Sequence, residues 1–357
     1  MGFEIYSSFL GMPSGRQTKR LRRRGGKFIY SGAYGCTFGP ALKCQGSNTR
    51  KNGYISKIIN SDEAEKEWGY SERVRSLNKN FKYFVYPDEY CVPAKPNASN
   101  EASKCPLRLN KPTLLLSPYG GVDLEHIDVP FKMIPAFFEG FLNVFDGIAL
   151  LHKEQVAHND IKLSNMVGYL RENGLYKLRL IDFGLSRSFS HLMKYPKIDN
   201  YPYWSYDRRF LYDGHLPSKA DIDEFMNSLS YLNFPMWMYK NSDGSNKINI
   251  RFGLNMMKRI GEEGEVAKET IIKASEVFAV GRALYEACVR KIGYVSLKSG
   301  LVAHTTDSKN VVDADTLNAL FDLVEMMCKP DPFERCTLEE GRAGLVKLLP
   351  VLRKAFV

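Results

Sequence analysis

His158-Asn159-Asp160-Ile161-Lys162-Leu163-Ser164-Asn165 and, further on, Ile181-Asp182-Phe183-Gly184 decide how this 357-residue chain is read. Asp160 and Asp182 stand 22 positions apart. The two segments supply a carboxylate, a cation, an amide oxygen and a second carboxylate. Transfer of a phosphoryl group needs little covalent chemistry from a protein. It needs a placed acceptor hydroxyl, a neutralised γ-phosphate and ligands for Mg²⁺. Asp160 can orient a hydroxyl and take its proton, and Lys162 can offset charge on the moving phosphoryl. Asn165 and Asp182 are hard oxygen ligands of the kind Mg²⁺ prefers.

In this order, D-x-K-x-x-N, an apolar strand and D-F-G, the residues resemble the catalytic and metal-binding loops of eukaryotic-type Ser/Thr protein kinases. The resemblance implies an α+β, two-lobed, protein-kinase-like fold with a small β-rich N-lobe and a larger helical C-lobe. It implies ATP between the lobes, with Mg²⁺ or alternatively Mn²⁺. Asp160 and Lys162 would be catalytic, and Asn165 and Asp182 would hold metal.

Upstream, Phe28 to Thr37 suits a strand, a Gly-bearing turn and a return strand. Backbone amides in such a turn approach phosphates closely. Against the family pattern G-x-G-x-x-G-x-V, Gly32 and Gly35 fit the second and third glycines. Tyr30 replaces the first glycine and Thr37 the valine. Gly32, Ala33, Tyr34, Gly35 and Thr37 are therefore expected over the phosphates. The alternating run Gly53 to Ile59 resembles the strand whose Lys grips the α- and β-phosphates. Lys57 is favoured for this role over Lys43. Ser61 to Glu67 opens a helix, with a capping Ser or Asp followed by acids. Glu67, next to Trp68, is favoured over Glu63 and Glu65 to hold the strand Lys. Residues 87–112 contain five prolines and read as a loop inserted in the N-lobe. Thr113 to Leu124 reads as a buried strand leading into a connector. By resemblance it is the hinge, with backbone groups from Ser117 to Tyr119 meeting adenine. The expected division is a tail at 1–27, an N-lobe at 28–118 and a C-lobe at 119–357.

Phe137, Phe141, Val144, Ile148 and Leu151 follow helical spacing. Leu170 to Ile181 reads as a hairpin turning at Asn173-Gly174, which suits a type I′ turn and delivers Asp182 beside Asn165. Ala274 to Gly281 resembles the buried helix that anchors the catalytic loop, with Glu276 where the family has Asp. Asp331-Pro332-Phe333-Glu334-Arg335 resembles D-P-x-x-R, whose Arg pairs with the Glu of A-P-E. No A-P-E is present. Tyr203 to Asp207 stands in its place, so Asp207 is the expected partner of Arg335. The stretch 225–270 reads as an insertion packed on the C-lobe, with partner docking as the other reading.

The family's H-R-D is His158-Asn159-Asp160 here, without the Arg that receives an activation-loop phosphate. The activation segment, roughly 182–207, holds Ser186, Ser188 and Ser190. H-N-D also resembles choline and aminoglycoside kinases, so a small-molecule kinase is one alternative. A pseudokinase scaffold is the other. Lys162, Gly184 and the late Asp331 to Arg335 motif favour a protein kinase. Gly32 to Cys44, Ile55-Ser56-Lys57 and Ala64 to Trp68 resemble kinases encoded by large nucleocytoplasmic DNA viruses. That likeness covers roughly residues 28–345 and implies action in a host cell, with packaging in virions as an extension.

The net charge is +10. Residues 1–27 carry Arg16, Lys19, Arg20, Arg22, Arg23, Arg24 and Lys27 against Glu4, and read as a disordered tail. Such a tail suits nucleic acid, acidic surfaces or acidic protein substrates. Seven cysteines without a C-x-x-C pair or an apolar leader suggest reduced thiols in a cytoplasmic or nuclear setting. Cys36 reads as a small filler or a reactive thiol. No run of eighteen apolar residues occurs, so no membrane span is expected.

Overall fold

The computed structural model describes residues 26–32, 34–47, 49–77, 81–94, 104–195, 201, 203–211, 218–231, 236–292, 294–297, 300–303 and 312–357. Residues 1–25 lie outside the described residues, and with them almost all of the basic tail. The chain is α+β and divides into two compact units, Met1–Glu72 with Val85–Tyr119, and Arg73–Phe84 with Gly120–Val357.

The first unit is built on a five-stranded antiparallel sheet. Its strands are β1 (Lys27–Ser31), β2 (Gly35–Gly39), β3 (Tyr54–Asn60), β4 (Glu89–Cys91) and β5 (Pro112–Pro118). Their order is β1-β2-β3-β5-β4. Alternation in β3 sends Ser56 and Ile58 to one face and Ile59 to the other, and all three are buried. Leu114, Leu115 and Leu116 of β5 are fully buried beside them. One face closes over Cys36, Phe38, Ala41, Leu42, Ile58, Leu114 and Leu116. Against the sheet runs helix α1 (Ser61–Leu77), which continues past the boundary between the units. Ile59, Ala64, Leu115 and Trp68 pack together there.

Four of the cysteines correct the expectation of reduced thiols. Cys36 is bonded to Cys105, and Cys44 to Cys91. Each pair brings its Cα atoms to 5.7 Å, within disulfide reach. Cys36 is therefore neither a free thiol nor a simple filler. The inserted 87–112 segment supplies Cys91 and Cys105, so it is stapled to the sheet it interrupts.

The second unit is mainly helical. Its central helix α2 (Ile134–Lys153) buries Phe137, Phe141, Val144, Ile148 and Leu151 completely, as their spacing predicts. By length and composition, Phe131–Lys153 could cross a membrane, but it is mostly buried as a core helix. A small sheet joins β6 (Val122–Asp123), β8 (Met166–Leu170) and β9 (Tyr176–Leu180). The β8–β9 turn differs from the expected type I′. A type I′ turn needs positive φ at both central residues, yet only Gly174 has it, at +78°. The link closes through Gly174 N–H to Arg171 O at 3.0 Å and Arg171 N–H to Leu175 O at 2.9 Å, a longer turn ending in a left-handed glycine.

The segment 225–270 contributes the ends of two helices, Lys219–Tyr231 and Glu265–Ile292, and the whole of Ile250–Glu263. Aromatic contacts draw it into the core: Phe225 lies 5.2 Å from Tyr206 and 5.6 Å from Tyr239, and Phe252 lies 5.9 Å from Phe210. Tyr239 donates its hydroxyl to the Cys328 carbonyl. These contacts pack the segment onto the core.

Candidate active site

In the second unit the loop after β7 (Val156–Ala157) carries Asp160 and Lys162. Asn159, at φ +64°, turns the chain into this loop. Its conformation is one that Asn tolerates better than most residues. Glu276, buried in the long helix Glu265–Ile292, accepts from the amides of His158 (2.9 Å) and Asn159 (2.8 Å). The extra methylene relative to Asp therefore still reaches the loop backbone. The His158 ring packs on Phe183 at 4.9 Å and meets the Ile181 carbonyl through Nε2 at 3.1 Å. Phe183 is buried, with Phe84 on it edge-on at 5.5 Å.

The loop side chains converge. Lys162 Nζ lies 3.0 Å from Asp160 Oδ1 and 3.1 Å from Oδ2. Asn165 donates Nδ2 to the Asp160 carbonyl (2.9 Å) and to its Oδ2 (2.6 Å). With Nδ2 so committed, the amide oxygen is the Asn165 atom that could serve as a metal ligand. The Ile181 amide donates to the Asn165 carbonyl at 2.9 Å, which sets Asp182 one residue beyond Asn165's own backbone contact. Asp182 is itself at φ +64°, and its Oδ1 accepts from the Gly184 amide at 3.3 Å. An amide oxygen and a carboxylate make a donor set that suits Mg²⁺.

Two residues that the motifs did not single out sit in this cluster. Tyr201 donates its hydroxyl to Asp160 Oδ1 at 2.5 Å and accepts from Lys162 Nζ at 2.7 Å. Arg208 donates to Asn159 Oδ1 at 2.7 Å and lies 4.1 Å over the Trp204 ring. Burial pulls the Arg208 guanidinium down to about 10, partly offset by Glu276 and Asp207. A cation thus contacts position 159 from another part of the chain. An aromatic-rich run from Tyr201 to Tyr206 was the available sequence signal, but it named no partner.

Of the serines in 182–207, Ser186 is buried and donates to the His158 carbonyl. Ser188 caps the short helix Phe189–Lys194. Asp207 pairs with buried Arg335 at 2.9 Å, as expected. Arg335 also donates to the carbonyls of Ala274 and Lys329 at 2.7 Å.

In the first unit Lys57 and Glu67 form an ion pair at 2.7 Å. Glu63 instead pairs with Lys66, while Glu65 is exposed. Lys43 is exposed and lies after β2. Gly32 N–H closes the β1–β2 turn onto Gly35 O at 2.8 Å. A Cβ on Gly35 would lie 2.0 Å from Ile59 Cγ2, so the adjacent strand itself requires glycine there. Tyr34 is exposed, and Thr37 faces Lys57 in the β2–β3 register. Ala33 lies outside the described residues. Ser117 pairs with Ile55 across β3–β5. The Tyr119 amide donates to the Gly53 carbonyl at 2.8 Å, so that donor is already engaged rather than offered to adenine.

Among the described residues, Asp123, Glu125 and His126 also cluster closely enough to hold a cation. These side chains already have partners: His126 meets Asp123 at 2.7 Å and Arg290 meets Glu125 at 3.0 Å. No protein-family model matches the chain, and none of the curated proteins compared with it is significantly similar in sequence.

Proposed function

We propose that this chain is a protein Ser/Thr kinase with the two-lobed kinase fold, transferring the γ-phosphoryl group of ATP to protein hydroxyls. The observation that carries the reading is the convergence of Lys162 and Asn165 on the Asp160 carboxylate. Asp160 orients the acceptor hydroxyl and takes its proton. Lys162 steadies charge on the transferring group. Mg²⁺ held by Asn165 and Asp182 would neutralise charge on the phosphates. Lys57, fixed by Glu67, orients the α- and β-phosphates, and the turn at Gly32 covers them. Glu276 holds the loop backbone in place. The net charge of +10 favours acidic protein substrates. The resemblance to kinases of large DNA viruses extends this to a host cytoplasm or nucleus.

The test is incubation of the purified chain with Mg²⁺, γ-labelled ATP and acidic and basic protein acceptors, followed by phosphoamino-acid analysis. Label on Ser or Thr supports the reading. Nucleotide binding without any label on protein would shift it to a scaffold or a small-molecule kinase.

A further inference from the structure

We propose that Tyr201 is an acceptor within the chain itself, phosphorylated by the site it occupies. This rests on the kinase reading above. An acceptor hydroxyl needs two things at such a site: a base within hydrogen-bond reach and a cation beside the oxygen that takes the phosphoryl group. Tyr201 has both. Its Oη–H donates to Asp160 Oδ1 at 2.5 Å, and Lys162 Nζ donates to the same Oη at 2.7 Å. These are the two side chains assigned to an incoming protein hydroxyl, so the phenol stands where that hydroxyl would stand.

The ring is held there by its neighbours. Tyr203 and Trp204 lie 5.4 Å from it, centroid to centroid. Trp204 is pinned by its indole N–H on the Asn159 carbonyl at 2.7 Å, so the aromatic group is tied to the same loop as Asp160. Burial and the Asp160 charge raise the Tyr201 phenol well above its ordinary range. It therefore keeps its proton, pointed at the carboxylate that would receive it.

In the step, Tyr201 Oη forms a bond to the γ-phosphorus of ATP. The bond from that phosphorus to the β–γ bridging oxygen breaks, and ADP leaves with the electron pair. The Oη proton passes to Asp160. The product places a phosphate against a carboxylate, and like-charge repulsion then drives the side chain out of the acceptor position.

The experiment is incubation of the full chain with Mg²⁺ and ATP, with and without an added Ser/Thr-containing protein, and phosphopeptide mapping by mass spectrometry. The expected result is phosphotyrosine at Tyr201, formed with a rate constant independent of chain concentration, and slowed about 100-fold or more in Asp160→Asn. The wild-type map decides even if that variant folds poorly. Phosphorylation of the added protein with Tyr201 left unmodified would overturn the inference while the kinase reading stands. A rate proportional to chain concentration would overturn the intrachain step. No transfer to any acceptor would remove the kinase reading, and this inference with it.

Discussion

Glu276 accepts a hydrogen bond from the backbone amide of Asn159 at 2.8 Å, across 117 positions of sequence. A second oxygen takes the amide of His158, so one buried carboxylate holds the start of the loop that carries Asp160. Replacing Glu276 with Ala orphans two buried amides, at about 1–3 kcal/mol each. Chemical denaturation should show that loss. Burial alone would raise this carboxyl, but His152 at 3.4 Å, the His158 charge and the Asn159 amide hold it below its ordinary value of 4.5. A lowered folded value stabilises above the unfolded one and is lost as pH falls through the folded one. Glu276→Gln should therefore flatten the acid side of the stability profile below about pH 4.5, measured by thermal unfolding across pH. An unchanged acid limb would contradict this.

Asp207 and Arg335 form a buried pair at 2.9 Å. Removing one partner leaves an uncompensated buried charge. Asp207→Ala should cost about 3–5 kcal/mol. Arg335 also bonds three backbone carbonyls, those of Ala274, Lys329 and Pro330. Arg335→Met should then cost at least as much as the Asp207 change, because it strips those carbonyls of their donor as well as Asp207. A double-mutant cycle read by urea denaturation checks the order.

Lys57 and Glu67 stand apart from those pairs, because Lys57 keeps 26% of its side chain exposed. Glu67 is buried, so breaking this pair should cost more than the roughly 1 kcal/mol of an exposed pair and less than the about 3–5 kcal/mol of a fully buried one. On the kinase reading, Lys57→Met should weaken Mg-ATP binding by about 1.5–3 kcal/mol, or roughly 10- to 100-fold. Titration calorimetry separates the two effects. Equal nucleotide affinity in the variant would remove Lys57 from the phosphate-binding role.

The two disulfides close spans of 69 and 47 residues within the first unit. Cross-links of that length stabilise by about 2–5 kcal/mol. Replacing Cys44 and Cys91 by Ser, or adding reductant, should lower the unfolding midpoint of that unit. Limited proteolysis should then cut first within 87–112. A midpoint indifferent to reductant would show that these bonds contribute little.

Legibility in the sequence followed the range of the interaction. Lys57 and Glu67 were readable because an alternating strand and an acid-rich helix start each fix a side chain locally. Asp207 and Arg335 were readable because their motifs fall in a known order. Cysteine pairing was not, because nothing local links Cys36 to Cys105; the fold of the inserted segment brings them together. Asn173-Gly174 does not fix its turn type, because the same dipeptide also suits a longer turn with only the glycine left-handed. The roles of Tyr201 and Arg208 are not legible in the sequence, because they come from approach to the 158–162 loop and not from a motif of their own.

The most direct measurement is single-turnover transfer of γ-phosphate to a protein hydroxyl by the wild-type chain and by Asp160→Asn, with Mg-ATP saturating for both. The account predicts a rate about 10²–10⁴-fold lower in the variant, with nucleotide affinity little changed. Transfer at the wild-type rate in Asp160→Asn would contradict it.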